Sequence, residues 1–74
     1  MKLTIQLFAT FRNGRFKEEQ KEFADGITLG QVVAELGIAE TEVGMALVNG
    51  RHASMGQGLD DGHLLALFPL LGGG

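Results

Sequence analysis

The chemistry this chain can offer is concentrated in its last residues, Leu70-Leu71-Gly72-Gly73-Gly74. Glycine makes no core contact and loses more freedom on ordering than any other residue, so a run of three does little for the stability of a domain. It does make a thin, pliable strand with no side chain to clash inside a narrow slot. At the tip is the α-carboxylate of Gly74, with a reference pKa of roughly 3.3–3.7, which leaves it ionised at neutral pH. The same run also reads as a frayed end, because disorder concentrates at termini. What precedes the glycines decides between a working tail and a loose one.

The other candidate groups are thinner. His52 and His63 are the two histidines. No motif places a nucleophile or a carboxylate beside either, so both are expected at the surface or at strand ends rather than in acid–base chemistry. Asp60-Asp61 is an acidic pair in a turn, short of the oxygen ligands a hard cation needs, and no metal is expected. Gly56-Gln57-Gly58 lacks the Lys and Ser/Thr of a phosphate loop, and no helix follows it. Cysteine is absent, which removes disulfides, thiolate metal sites and thiol nucleophiles.

Charge and hydropathy exclude further classes. Net charge is −3. Arg12, Arg15, Lys17 and Lys21 cluster, but Glu18, Glu19, Glu22 and Asp25 are interleaved with them. A surface that tracks phosphates needs unopposed positive charge, so no nucleic-acid partner is expected. No segment is long and apolar enough to span a membrane and no signal peptide opens the chain, so a soluble cytoplasmic protein is expected.

The elements that must position the tail can be read in order. Lys2 to Phe8 alternates, with Leu3, Ile5 and Leu7 on one side, which is the period of a half-buried strand. Asn13-Gly14 supplies a turn within a loop longer than a tight hairpin. The charged stretch from Phe16 to Phe23 reads as a helical turn in isolation and as an edge strand in context, since charge on an edge discourages pairing with other chains. Thr28 and Gln31 form a capping box, Ile27 and Val32 a hydrophobic staple, and Leu29, Val32, Val33 and Leu36 the apolar stripe of a helix. Gly37 is placed to end that helix in the left-handed region, with Ile38 packing back. Gly30 inside the helix costs about 1 kcal/mol relative to alanine, which points to close packing there.

A third strand is expected over Met45–Val48, an Asn49-Gly50 turn, a short return over Arg51–Ala53, and a final strand from His63 to Phe68 that is apolar on both faces and therefore central. Pro69 is expected to end the ladder, having no N–H to donate. The order strand, strand, helix, strand, short strand, strand predicts an α+β chain of the β-grasp, or ubiquitin-like, type. Its mixed sheet of four or five strands would carry one main helix on one face. Residues 1–69 form the domain and 70–74 a flexible glycine-rich tail. One helix cannot cover both faces. The open face should carry Phe8 and one alternate set from the last strand, either Leu64, Ala66 and Phe68 or Leu65 and Leu67. A contiguous apolar patch of that kind, at the root of the tail, is expected to dock a partner.

Leu67-Phe68-Pro69-Leu70-Leu71-Gly72-Gly73-Gly74 resembles the carboxyl terminus of the molybdopterin synthase small subunit and its ubiquitin-like sulfur-carrier relatives. That family ends in Phe-Pro, three variable residues and Gly-Gly. In that register Phe68 and Pro69 match, Leu70, Leu71 and Gly72 are the spacer, and Gly73-Gly74 is the terminal pair. Phe8-Ala9-Thr10-Phe11-Arg12, Asp25-Gly26-Ile27-Thr28-Leu29, Leu47-Val48-Asn49-Gly50-Arg51 and Leu59-Asp60-Asp61-Gly62 resemble further family segments, in the family's order. His63 departs from the pattern, which commonly has an acidic residue there.

The resemblance implies a sulfur carrier that is not an enzyme by itself but the cosubstrate of others. A ubiquitin-activating-type adenylyltransferase would use ATP to adenylate the Gly74 carboxylate, and a persulfide or sulfide donor would convert the adenylate to a thiocarboxylate. The chain itself would hold no cofactor. In the molybdopterin case the loaded tail enters the large subunit of the synthase. The binding residues implied are Phe8, Phe68, Pro69, Leu70, Leu71, Gly72 and Gly73. Extended, the tail beyond Pro69 reaches roughly 17 Å at 3.3–3.6 Å per residue. Phe68-Pro69 favours molybdenum or tungsten cofactor synthesis. The thiamine thiazole pathway, another thio-metabolite, a modifier that forms isopeptide bonds, and a binding module with an inert tail remain alternatives.

Overall fold

Alternation decides the first strand. A computed structural model describes residues 1–71, and in it β1 (Lys2–Leu7) buries Leu3, Ile5 and Leu7 at 1% exposure or less while Lys2 faces solvent. The chain then tightens into a 3-10 turn over Ala9–Arg12, pinned by buried Phe11, where a plain loop was expected. The charged stretch is β2 (Glu18–Glu22), antiparallel to β1 at the sheet edge. Pairing to β1 settles what local sequence left open.

The helix α1 (Leu29–Glu35) begins as its signals require. The Gln31 N–H donates to Thr28 Oγ1 at 3.3 Å, and the Thr28 N–H donates to Gln31 Oε1 at 2.9 Å. Two more N–H groups of the first turn are satisfied by a distant loop: Leu29 donates to the Gln57 carbonyl at 2.9 Å and Gly30 to that of Met55 at 2.8 Å. A Cβ on Gly30 would stand 2.8 Å from Glu40 Oε2 and 3.2 Å from the Met55 carbonyl oxygen, so close approach accounts for this glycine. The helix stops at Gly37 (φ 75°), with Gly37 donating to the Ala34 carbonyl and Ile38 to that of Val33. That is the paired bond pattern of a Schellman cap, and Ile38 is buried beside it.

The remaining strands are β3 (Val43–Val48), β4 (Arg51–His52) and β5 (Leu64–Pro69). They complete a five-stranded sheet in the order β2-β1-β5-β3-β4. β5 lies between β1, to which it is parallel, and β3, to which it is antiparallel. This is the β-grasp arrangement that the element order predicted. Leu65 and Leu67 join Ile5, Leu7, Leu29, Val32 and Val33 in a core that holds no buried polar residue among those described.

Two expectations need correction. β3 begins at Val43 rather than Met45, because a bulge at Gly44 lets Val43 pair with Pro69. Nor does Pro69 end the ladder: it is itself paired, and the Leu70 N–H beyond it donates to the Glu42 carbonyl at 2.9 Å. No helix among the described residues is long and apolar enough to cross a membrane.

Candidate functional site at the root of the tail

Strand register assembles the site. β1 and β5 run parallel with Leu7 opposite Leu67, so the next residues along, Phe8 and Phe68, are brought side by side on the face away from the helix. Their rings stack with centroids 4.2 Å apart and planes 11° from parallel. Such a pair is worth about 0.5–1.5 kcal/mol beyond its buried area. Ala9 then turns the chain sharply, with φ 51° in a region that costs an L-residue about 1–2 kcal/mol.

That turn carries Arg12 back over the stack. Its Nε donates to the Leu7 carbonyl at 2.7 Å, and its guanidinium carbon lies 5.4 Å from the Phe8 ring centroid. The cation is thus held over an aromatic face by a backbone anchor. On the other side Met45, opposite Phe68 on β3, extends the apolar surface. Phe8, Met45, Phe68, Pro69, Leu70 and Leu71, with Ala9 and Gly44, line a groove of about 550 Å³.

The structure therefore brings together Phe8, Phe68, Pro69, Leu70 and Leu71 of the sequence-derived site. Gly72, Gly73 and Gly74 lie outside the described residues. Of the two candidate sets on the last strand, Leu64, Ala66 and Phe68 point to the open face, while Leu65 and Leu67 are buried under the helix. Leu70 is 63% and Leu71 79% exposed, although the backbone of Leu70 is tied to Glu42. Apolar side chains this exposed, beside an apolar groove, are the surface a partner would cover.

Two residues were missed. In the sequence Arg12 stands as one charge of a mixed cluster and as the end of the Phe8-Ala9-Thr10-Phe11-Arg12 segment; its place over Phe8 depends on a 3-10 turn with no sequence signature. Gly44 falls just before the strand expected from Met45 and has no role assigned from the sequence. An isolated glycine at a strand's start is the available signal, since it often marks a bulge or a close backbone approach.

The histidines stand apart from this site. His52 is exposed on β4. His63 closes a turn: the Asp60 N–H donates to His63 Nδ1 at 3.2 Å, and Asp60 Oδ2 is 4.0 Å from Nε2. The neighbouring Asp61 accepts the Lys2 N–H at 2.7 Å, which fastens the same turn to β1.

Comparison with known proteins places these features in a family. The chain belongs to the ThiS family, whose model matches residues 5–74. Among solved structures, the Haloferax volcanii HVO 2177 protein is 31% identical over 100% of this chain and 87% of its own, with a TM-score of 0.80. A putative molybdopterin converting factor, subunit 1, from Pyrococcus furiosus is 26% identical over 96% of this chain and 99% of its own, with a TM-score of 0.79. The small archaeal modifier protein 1 of Haloferax volcanii shares the fold at 22% identity, covering 95% of this chain and 98% of its own, with a TM-score of 0.76. No curated protein matches the chain.

Proposed function

We propose that this chain is a sulfur carrier whose working group is the carboxylate of Gly74. The observation that carries this reading is the geometry of the tail root. A groove bearing the Phe8–Phe68 stack lies directly beside Leu70 and Leu71, where the segment leading to Gly72-Gly73-Gly74 leaves the sheet. A partner that covers the groove holds the body and receives the tail in one act. Membership of the ThiS family supports the same reading.

The chemistry follows from the inertness of a carboxylate, which is already negative and repels nucleophiles. On a ubiquitin-activating-type adenylyltransferase, which binds the ATP, a carboxylate oxygen attacks the α-phosphorus and pyrophosphate leaves. The product is an acyl adenylate with an electrophilic carbon and a good leaving group. Hydrosulfide attacks that carbon, AMP leaves, and a thiocarboxylate remains. A persulfide donor does the same, with a thiol then reducing the sulfur–sulfur bond. The chain contributes recognition and reach rather than acid–base groups, and it acts as a cosubstrate in the cytoplasm.

Within sulfur transfer, the Phe68-Pro69 register and the likeness to the Pyrococcus furiosus subunit 1 support delivery to molybdopterin synthesis, with a large subunit as the acceptor of the tail. The likeness to the small archaeal modifier protein supports a second reading, in which a lysine amine attacks the adenylate and an isopeptide bond forms. Both readings require activation at Gly74. The full chain should support ATP–pyrophosphate exchange by the adenylyltransferase, and a chain lacking Gly73 and Gly74 should not. Equal exchange from both would refute the proposal.

A further inference from the structure

A glycine inside a strand packs nothing and weakens it, so one beside the tail root needs a physical cause. Backbone conformation is not the cause, because Gly44 does not have a positive φ. Space is. A Cβ added at Gly44 would lie 2.8 Å from the Pro69 carbonyl oxygen, 3.0 Å from Leu70 Cα and 3.1 Å from the Leu70 nitrogen. All three are backbone atoms, so no side chain can swing aside and the chain itself would have to move. Gly44 is also the extra residue of the bulge: pairing steps from Val43–Pro69 to Met45–Phe68, two residues against one. The hydrogen bond from Leu70 to Glu42 closes the strands just beyond it.

We infer that Gly44 is a positioning residue: its bare Cα fixes where Pro69 and Leu70 leave the sheet, and so the origin and heading of the tail. What this does for the reaction rests on the sulfur-carrier reading. The four residues beyond Leu70 reach about 13–14 Å when extended in a partner's slot, so a shift at the root changes where the Gly74 carboxylate can reach. Misplacing a reacting group by about 1 Å can cost about a hundredfold in rate.

The test uses the full chain as wild type, Gly44→Ala, Leu70→Pro and Val33→Ala. Leu70→Pro removes the N–H that anchors the root without adding an atom at Gly44, and Val33→Ala weakens the core far from the tail. One readout is amide exchange at Leu70 by NMR; the other is ATP–pyrophosphate exchange by a ubiquitin-activating-type adenylyltransferase. In Gly44→Ala, exchange at Leu70 should quicken at least about tenfold while that of Leu67 holds, because only the local opening changes. Its kcat should fall at least about tenfold with KM within about threefold, since the Phe8–Phe68 stack at the centre of the groove is kept while the reacting end is displaced. Leu70→Pro should lose kcat likewise, and Val33→Ala should not once corrected for the folded fraction.

Unchanged Leu70 exchange in Gly44→Ala, or an equal kcat loss in Val33→Ala, would overturn the inference. If Gly44→Ala does not fold, Leu70→Pro decides, and wild-type kcat in that variant overturns it. If the wild-type chain supports no pyrophosphate exchange, the sulfur-carrier reading falls, while Leu70 exchange still decides for or against Gly44.

Discussion

The two faces of the sheet are built from similar residues and put to different ends. On β5 the alternation assigns Leu65 and Leu67 to the helix side, where both are fully buried, and Ala66 and Phe68 to the other. The same strand thus supplies the centre of the core and the centre of the groove. Apolar content does not distinguish the faces; coverage does. The helix reaches only one of them, and the second keeps its apolar residues half-covered around the Phe8–Phe68 stack. That second face leaves an apolar surface open beside Leu70 and Leu71.

Two glycines sharpen the contrast. An added Cβ would come within 2.8 Å of a neighbour at both Gly30 and Gly44. At Gly30 the nearest atom is the carboxylate of Glu40, the far end of a side chain that can turn away. At Gly44 it is the carbonyl of Pro69, which cannot. The first closeness serves the joint between helix and loop, and the second serves the exit of the tail.

This division of labour can be broken at several points. Leu67→Ala should cost about 2–5 kcal/mol of stability, as other deletions from a packed core do, visible as a lower midpoint in urea. Partner affinity per folded molecule should not change. Phe68→Asp, one residue away, should reverse the pattern. It should cost the fold only about 1–2 kcal/mol, through lost stacking and partial burial. It should also weaken binding to the adenylyltransferase at least about tenfold by titration calorimetry, as expected of a central aromatic anchor. If the two variants shift stability and affinity in the same proportion, the faces are not functionally distinct. Thr28→Ala should have the smallest effect, about 1 kcal/mol from the lost cap, with affinity unchanged.

Much of this architecture was legible because its signals are local. The alternation in β1, the capping box at Thr28 and Gln31, and the left-handed stop at Gly37 each lie within a few residues and mean one thing. The apolar sequence of β5 announced a central strand. What escaped was non-local. The role of Gly44 is defined by Pro69 and Leu70, which reach it only once β5 is paired to β3. The charged edge strand was ambiguous until β1 supplied its partner, and Arg12 depended on the turn that follows Phe8. Which alternate set of β5 faced outward could be settled only by the position of the helix.

The most direct test of the account is the intact mass of the full chain after incubation with ATP, a sulfide donor and a ubiquitin-activating-type adenylyltransferase. The account predicts a mass gain equal to one oxygen replaced by one sulfur, confined to the C-terminal peptide that ends at Gly74 and absent without ATP. A chain of unchanged mass, or one recovered only as branched conjugates on lysines of other proteins, would contradict it.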